Sequence, residues 1–412
     1  MQSGWRIGYL CGIPLYIDTS WLIILAVLTL ANHANWENVH PEWSPLVVWL
    51  AGFLMALLLF VSVLIHELGH SLVAQSQGIK VNSIRLFLFG GIASIERESK
   101  TAKEAFHVAI AGPAVSLMIF TILALVLPFL PESNPVTVVA TDLARINLVL
   151  ALFNLIPGLP LDGGQIVKAV VWQITGNRFV GVHWAAKAGK ILGFTAMTLG
   201  ISVVFLAGRQ GMVGLWIALL GWFAVGNATL YDRQTNLQET LLKLTAADTM
   251  NHDFRVVDAN LSLREFTDKY LLFEPNNLNQ VFYAASEGRY RGMVNLEQIH
   301  FIERSLWEKQ TLGSIVSPLT EIISIKEKTS LVEVINVLEL HQLKNITVLS
   351  PAETVAGVVD RGDIVRCVAK NLNLTISDVE IKQIKNEGHY PQNLQIAAMA
   401  KAVAETIELP IN

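Results

Sequence analysis

Charged residues nearly vanish from long stretches of the chain before Arg233 and return to ordinary density after it. Six apolar runs, near 19–34, 46–72, 106–130, 137–157, 188–207 and 211–230, are long enough or nearly so to cross a bilayer, for which a helix needs about 20 residues. Proline and glycine interrupt the fourth run beyond Asn154, and a tight turn at 208–211 joins the fifth run to the sixth. The pattern predicts a membrane domain over 1–232, a linker over 233–244, a soluble region over 245–372 and a tail over 373–412.

Composition agrees with that division. Hydrophobic residues make up 52% of the 412 positions and charged residues 16%, against about 25% charged in soluble domains. A net charge of -4 gives no reason to expect nucleic acid as a partner. The two cysteines, Cys11 and Cys367, lie too far apart in the organisation to suggest a structural disulfide. The first apolar run lacks a small-residue cleavage site and reads as a retained span.

Charge also orients the spans. Lys80, Arg85, Arg97, Lys100 and Lys103 fall in 74–105, and Lys168, Arg178, Lys187 and Lys190 in 163–190, both read as connecting loops. The segments 33–45 and 128–136 carry neither lysine nor arginine. The positive-inside rule then makes the basic loops, both termini and the soluble region cytosolic, with Arg209 the one charge against the pattern. A bacterial cell membrane is the expected location.

One apolar run ends in chemistry. His66-Glu67-Leu68-Gly69-His70 places two histidines four apart, on one helical face where both reach a single zinc ion. Glu67 is then set to activate a water. Zinc needs a further protein ligand, and an aspartate inside a membrane segment, such as Asp162, is costly without a partner. Pro157 and Pro160 break the fourth run, and Gly158, Gly163 and Gly164 let the backbone bend there. Two paired core histidines and a turn-capping aspartate are the bland alternatives; the combination outweighs them. His33, His40, His107 and His183 have no ligand-like partners in sequence and read as interfacial or packing residues.

The HExxH motif in an apolar run, followed by Asn154-x-x-Pro157-x-x-x-Leu161-Asp162-Gly163-Gly164, resembles the site-2 protease family of intramembrane zinc metalloproteases, over roughly 4–230. The resemblance implies that His66, His70 and Asp162 bind one Zn2+, that Glu67 is the general base, and that Asn154 contacts substrate. Ala111-Gly112-Pro113 matches a family element, expected to open the third span and pack against the catalytic helix. The stretch 81–95 resembles the family's membrane-associated sheet, paired with an N-terminal strand within 5–17, whose edge would hold an unwound substrate. The implied substrates are single-span membrane proteins.

The soluble region contains a weak repeat reading strand, helix, strand, strand, helix, and resembles a tandem pair of CBS domains at 245–305 and 306–372. Such pairs bind adenine nucleotides, with an aspartate on the ribose hydroxyls. Asp363, in Gly357-Val358-Val359-Asp360-Arg361-Gly362-Asp363, matches that aspartate; the first unit has Gln298 instead, so at most one site is expected. The bland alternative is a homodimerising module in which Asp363 caps a helix. The tail predicts an amphipathic helix near 394–407, with no function assigned.

The expected fold is a polytopic α-helical membrane protein with six transmembrane helices and a small membrane-associated β-sheet, followed by an α/β tandem CBS pair. The expected function is an intramembrane zinc metalloprotease regulated or dimerised by the CBS pair. A CBS-regulated transporter or a non-catalytic scaffold is the alternative.

Overall fold

The structure is a computed structural model that describes residues 4–88, 90–131, 134–206, 211–272, 280–391 and 395–407. The chain divides into two compact units, Met1–Thr235 and Asn236–Asn412.

The first unit runs β1 (Trp5–Leu10), β2 (Ile13–Ile17), α1 (Ser20–Val39), α2 (Pro45–Ser76), β3 (Val81–Phe87), β4 (Gly90–Ile95), α3 (Ala102–Val126), α4 (Pro135–Asn154), α5 (Asp162–Thr175), α6 (Arg178–Leu206) and α7 (Gly211–Lys243). Cys11 and Gly12 both take positive φ, 51° and 79°, the geometry of a two-residue hairpin turn. The N-terminal segment is therefore two antiparallel strands rather than one. The sheet order is β1-β2-β3-β4. β2 and β3 are parallel, with Leu15 opposite Ile84, so the chain crosses over through α1 and α2 between them. Ile13, Leu15, Ile84 and Leu86 form one buried face, packed with Leu64, Leu68 and Ala74 of α2. The sheet thus backs the turns of α2 that carry the histidines.

Local signals set the helix starts. Pro45 and Pro135 occupy first-turn positions, where a missing N–H costs nothing. Thr101 and Glu104 form a capping box on α3. Five described helices, α2, α3 with the turn that follows it, α4, α6 and α7, are long and apolar enough to cross a membrane. α1, the first of the six expected spans, is helical over its full length, but Asn32, His33, Asn35, Glu37 and Asn38 make its second half polar, and it is not among these five. Two further expectations change. Ala111-Gly112-Pro113 lies inside α3 rather than at its start, and the segment 163–190, read as a loop, holds α5 and the first turns of α6. The turn expected at 208–211 falls almost wholly outside the described residues. Glycines seat α6 against α7: a Cβ added to Gly200 would lie 2.4 Å from the Ala218 nitrogen, as in close small-residue packing within membranes.

The second unit contains α8 (Ala246–Thr249), β5 (Phe254–Asp258), α9 (Leu263–Phe266), β6 (Val281–Ser286), β7 (Arg289–Val294), α10 (Leu296–Ile299), β8 (Val316–Ser317), β9 (Ser324–Lys326), α11 (Leu331–Leu340), β10 (Asn345–Leu349), β11 (Val355–Asp360), α12 (Arg361–Asn371), α13 (Asp378–Glu387) and α14 (Ile396–Ile407). The strand-helix-strand-strand-helix unit occurs twice, on sheets ordered β5-β6-β7-β8 and β11-β10-β9. The chain trades pieces between the halves. Thr245 bridges Ser330 and Asn251 bridges Val358, while β8 pairs with β7. Residues 245–251 therefore complete the second half, and 311–317 complete the first. The expected linker 233–244 is helical to Lys243, and Leu237, Leu241 and Leu244 join the core around Ile335, Val348 and Val359. The tail belongs to that core as well, through Ile381, Ile384, Ile396, Ala400 and Val403.

Candidate metal centre

One turn of α2 separates His66 from His70, so both imidazoles leave the helix on the same side. Their Nε2 atoms lie 3.3 Å apart. Each ring is held from behind by α3. The Val108 carbonyl accepts from His70 Nδ1 at 2.6 Å, and Ser116 Oγ lies 2.9 Å from His66 Nδ1. A carbonyl only accepts, so His70 Nδ1 carries the proton and Nε2 is free to bind a metal.

Asp162 closes the group from the far side. Its Oδ2 lies 3.1 Å from His66 Nε2 and 3.3 Å from His70 Nε2. The path from Asn154 to Asp162 puts it there. α4 stops at Asn154, and a chain of turns, including the cis Leu159–Pro160 bond, leads to Asp162 as the first residue of α5. The two glycines that follow let this path fold back on itself. A Cβ on Gly163 would meet the Leu155 and Ile156 carbonyl oxygens at 2.3 and 2.4 Å, and one on Gly164 the Leu159 nitrogen at 2.4 Å.

The donor set fits zinc. Tetrahedral ligands about 2.0–2.1 Å from a zinc ion stand roughly 3.3–3.4 Å apart, close to the three separations here. Two ring nitrogens and a carboxylate oxygen turned toward one point are the donor types and number that a zinc ion takes up. Three protein ligands leave one position open, the pattern of a catalytic site. Among the described residues, His66, His70 and Asp162 are the one group of three or more such side chains whose donor atoms converge.

Two further residues predicted for the site are beside it. Asn154 Nδ2 lies 3.4 Å from His66 Nε2. Glu67 follows His66 on α2 and faces β4: a Cβ on Gly91 would come within 2.6 Å of its Cγ. The sequence reading missed Ser116, the Val108 carbonyl and a buried polar pair one turn before His66, where Asn147 Nδ2 donates to Ser62 Oγ at 2.9 Å. Val108, Ser116 and Asn147 are on helices distant in sequence from His66, and nothing local marks them. Among the histidines read as packing residues, His183 lies 2.6 Å from the Asp232 carboxylate, His40 3.1 Å from Glu42 and His33 3.8 Å from Glu37.

Asp363, predicted to hold a ribose, is in the second unit and almost completely buried. Its Oδ1 accepts from Lys385 Nζ of α13 at 2.7 Å; its Oδ2 accepts from the Asn251 amide and the Asp360 N–H. It closes a capping box with Asp360 at the start of α12. Gln298 is exposed on α10.

Comparison with known proteins follows the same residues. A family model described as "Peptidase family M50" matches residues 54–143 and 132–199. The chain is 38% identical to "Putative zinc metalloprotease sll0528" of Synechocystis sp. over 368 residues, which is 89% of this chain and 96% of that one. It is 31% identical to "Putative zinc metalloprotease Rip3" of Mycobacterium tuberculosis, over 89% of this chain and 93% of that protein. Among solved structures, "Site-2 Protease from Methanocaldococcus jannaschii" matches with a TM-score of 0.38 and 28% identity, over 56% of this chain and 95% of that one.

Proposed function

Since the chain belongs to peptidase family M50, the site-2 protease type of zinc metalloprotease, we propose that it hydrolyses peptide bonds in or near transmembrane segments of single-span membrane proteins, with Glu67 as general base. The observation that carries this reading is the convergence of His66, His70 and Asp162 on an apolar helix of membrane-spanning length, with Glu67 beside them.

A bound zinc supplies Lewis acidity toward the scissile carbonyl and makes water a stronger nucleophile near neutral pH. The chain's own residues do the rest. Glu67 takes a proton from the attacking water and delivers it to the departing amide nitrogen. The Asn154 amide donates to the carbonyl oxygen or to the substrate backbone beside the cleaved bond. β4 is the edge strand next to Glu67, and adding substrate to that edge as a strand would hold the peptide unwound and its carbonyls accessible.

In the proposed topology α1 is the sixth span, and the basic segments, both termini and the second unit are cytosolic in a bacterial membrane. The second unit regulates the protease through an adenine nucleotide at Asp363, or forms the seam of a homodimer.

The test uses purified wild type and Glu67→Gln in detergent, with zinc content measured beside cleavage of single-span test proteins. The expected result is about one zinc in both proteins and cleavage only by the wild type. Cleavage by Glu67→Gln at the wild-type rate would remove Glu67 from the mechanism.

A further inference from the structure

α3 walls one side of the metal centre, and the Ala111-Gly112-Pro113 element, expected only to pack against the catalytic helix, lies within that wall. Val108, Gly112 and Ser116 stand four apart on α3 and so share one face of that helix. All three meet the zinc-ligating histidines. The Val108 carbonyl orients His70, and the fully buried Ser116 hydroxyl contacts His66. Between them Gly112 presents no side chain. A Cβ added there would lie 2.2 Å from His70 Nε2 and 2.6 Å from His66 Nε2. Those are the two atoms that bind metal, so a methyl group at Gly112 would occupy the place where they meet an ion. An equally close approach at Gly200 meets only the backbone of α7, whereas here the atoms met are the histidine nitrogens. The nearest atoms to an added Cβ at Gly69, on the facing helix, are a Val115 methyl at 2.9 Å and the Ala111 carbonyl oxygen at 3.1 Å.

We propose that α3 is a working part of the metal centre: Gly112 keeps open the volume in which His66 and His70 meet the metal, and Ser116 is the positioning residue for His66. The inference rests on the zinc site proposed above. Ser116 fixes the ring through Nδ1 and leaves Nε2 as the donor, as partners of ligating histidines generally do. Pro113, which has no N–H to give the Ala109 carbonyl, loosens the helix at the turn where this wall meets α2.

The test measures zinc content, zinc affinity by competition with a chelator, and the visible spectrum of the cobalt-substituted protein. Thermal unfolding in detergent is followed in parallel. Gly112→Ala is expected to fold and to hold almost no zinc. Gly200→Ala, whose added Cβ would meet α7 backbone atoms and no metal-centre residue, is expected to lose stability and keep its zinc. Ser116→Ala removes volume and cannot overpack; it is expected to weaken zinc binding about 10–100-fold and shift the cobalt bands, with Ser116→Thr restoring both.

Retention of a full zinc equivalent by Gly112→Ala would overturn the inference. So would zinc loss in Gly200→Ala, because metal loss would then follow packing alone. Should Gly112→Ala fail to fold, Ser116→Ala decides: wild-type zinc affinity and an unchanged cobalt spectrum overturn the proposal. If the wild type itself binds no zinc in metal-replete buffer, the zinc site falls and this inference with it.

Discussion

Asp162 Oδ2 lies 3.1 Å from His66 Nε2, although 96 positions separate the two residues. α2 supplies the histidines as a local unit; the break after α4 and the first turn of α5 supply the carboxylate. Replacing Asp162 with alanine leaves both histidines in place but removes one donor. Zinc affinity is expected to fall by more than the roughly 10–100-fold that loss of an orienting partner produces. Equilibrium dialysis against graded chelator measures it, and an affinity within threefold of wild type would exclude Asp162 from the ligand set.

Gly163→Ala is expected to act on Asp162 without touching it. The added methyl would run into the Leu155 and Ile156 carbonyl oxygens at 2.3 and 2.4 Å, forcing the start of α5 to shift. Overpacking of this kind costs about 1–3 kcal/mol. Both thermal stability and zinc content should fall; unchanged zinc content would show that the turn relaxes without moving Asp162.

In the second unit, Lys385 Nζ lies 2.8 Å from Asp360 and 2.7 Å from Asp363. Burial works to lower its pKa, but the two carboxylates prevail and hold it above the usual lysine value of 10.5. A raised cationic pKa contributes stability fully below the unfolded value, and that contribution is lost as pH rises through the folded one. Docking of α13 is therefore expected to persist through neutral pH and weaken above about pH 10.5. Lys385→Ala should remove this alkaline transition and cost about 1–3 kcal/mol at pH 7, leaving a buried carboxylate without its cation. Proteolysis of the tail as a function of pH reads both effects, and an alkaline transition that survives the substitution would assign it to another group.

Phe266 is fully buried and meets Phe282 edge-on, with ring centroids 5.2 Å apart. Phe266→Ala is expected to destabilise the second unit by about 3–5 kcal/mol, with zinc content unchanged. Denaturant unfolding checks the first point and metal analysis the second. A drop in bound zinc would show that the two units do not keep their stabilities separate.

What the sequence made legible follows from how locally each feature is encoded. His66, Glu67 and His70 share one helical turn, so spacing alone announces them. Asp162 announces itself because a carboxylate in an apolar setting needs a reason to be there. Ser116 carries no such mark, since a serine in an apolar helix is common; Gly112 sits in the Ala111-Gly112-Pro113 element, but only the packing of α3 on α2 shows that it faces the histidine nitrogens. α5 was missed because the basic residues around it suited a loop, although Lys168 is buried and paired with Glu98 at 3.2 Å. α1 joins an apolar first half to a polar second half, so hydropathy alone marks only part of it. The repeat in the second unit was visible, but the exchange of segments between its halves depends on bridges between distant positions, such as Thr245 with Ser330.

That exchange decides where this part of the protein can be cut. Asn251 N–H donates to the Val358 carbonyl and the Asn251 carbonyl accepts from the Val358 N–H, while Leu312 N–H donates to the Leu261 carbonyl. A break after residue 305, where the repeat suggests a seam, would strip the first half of its last strand and leave the second without its opening segment. The halves are interlocked, like two clasped hands, and should be inherited, expressed and unfolded as one piece.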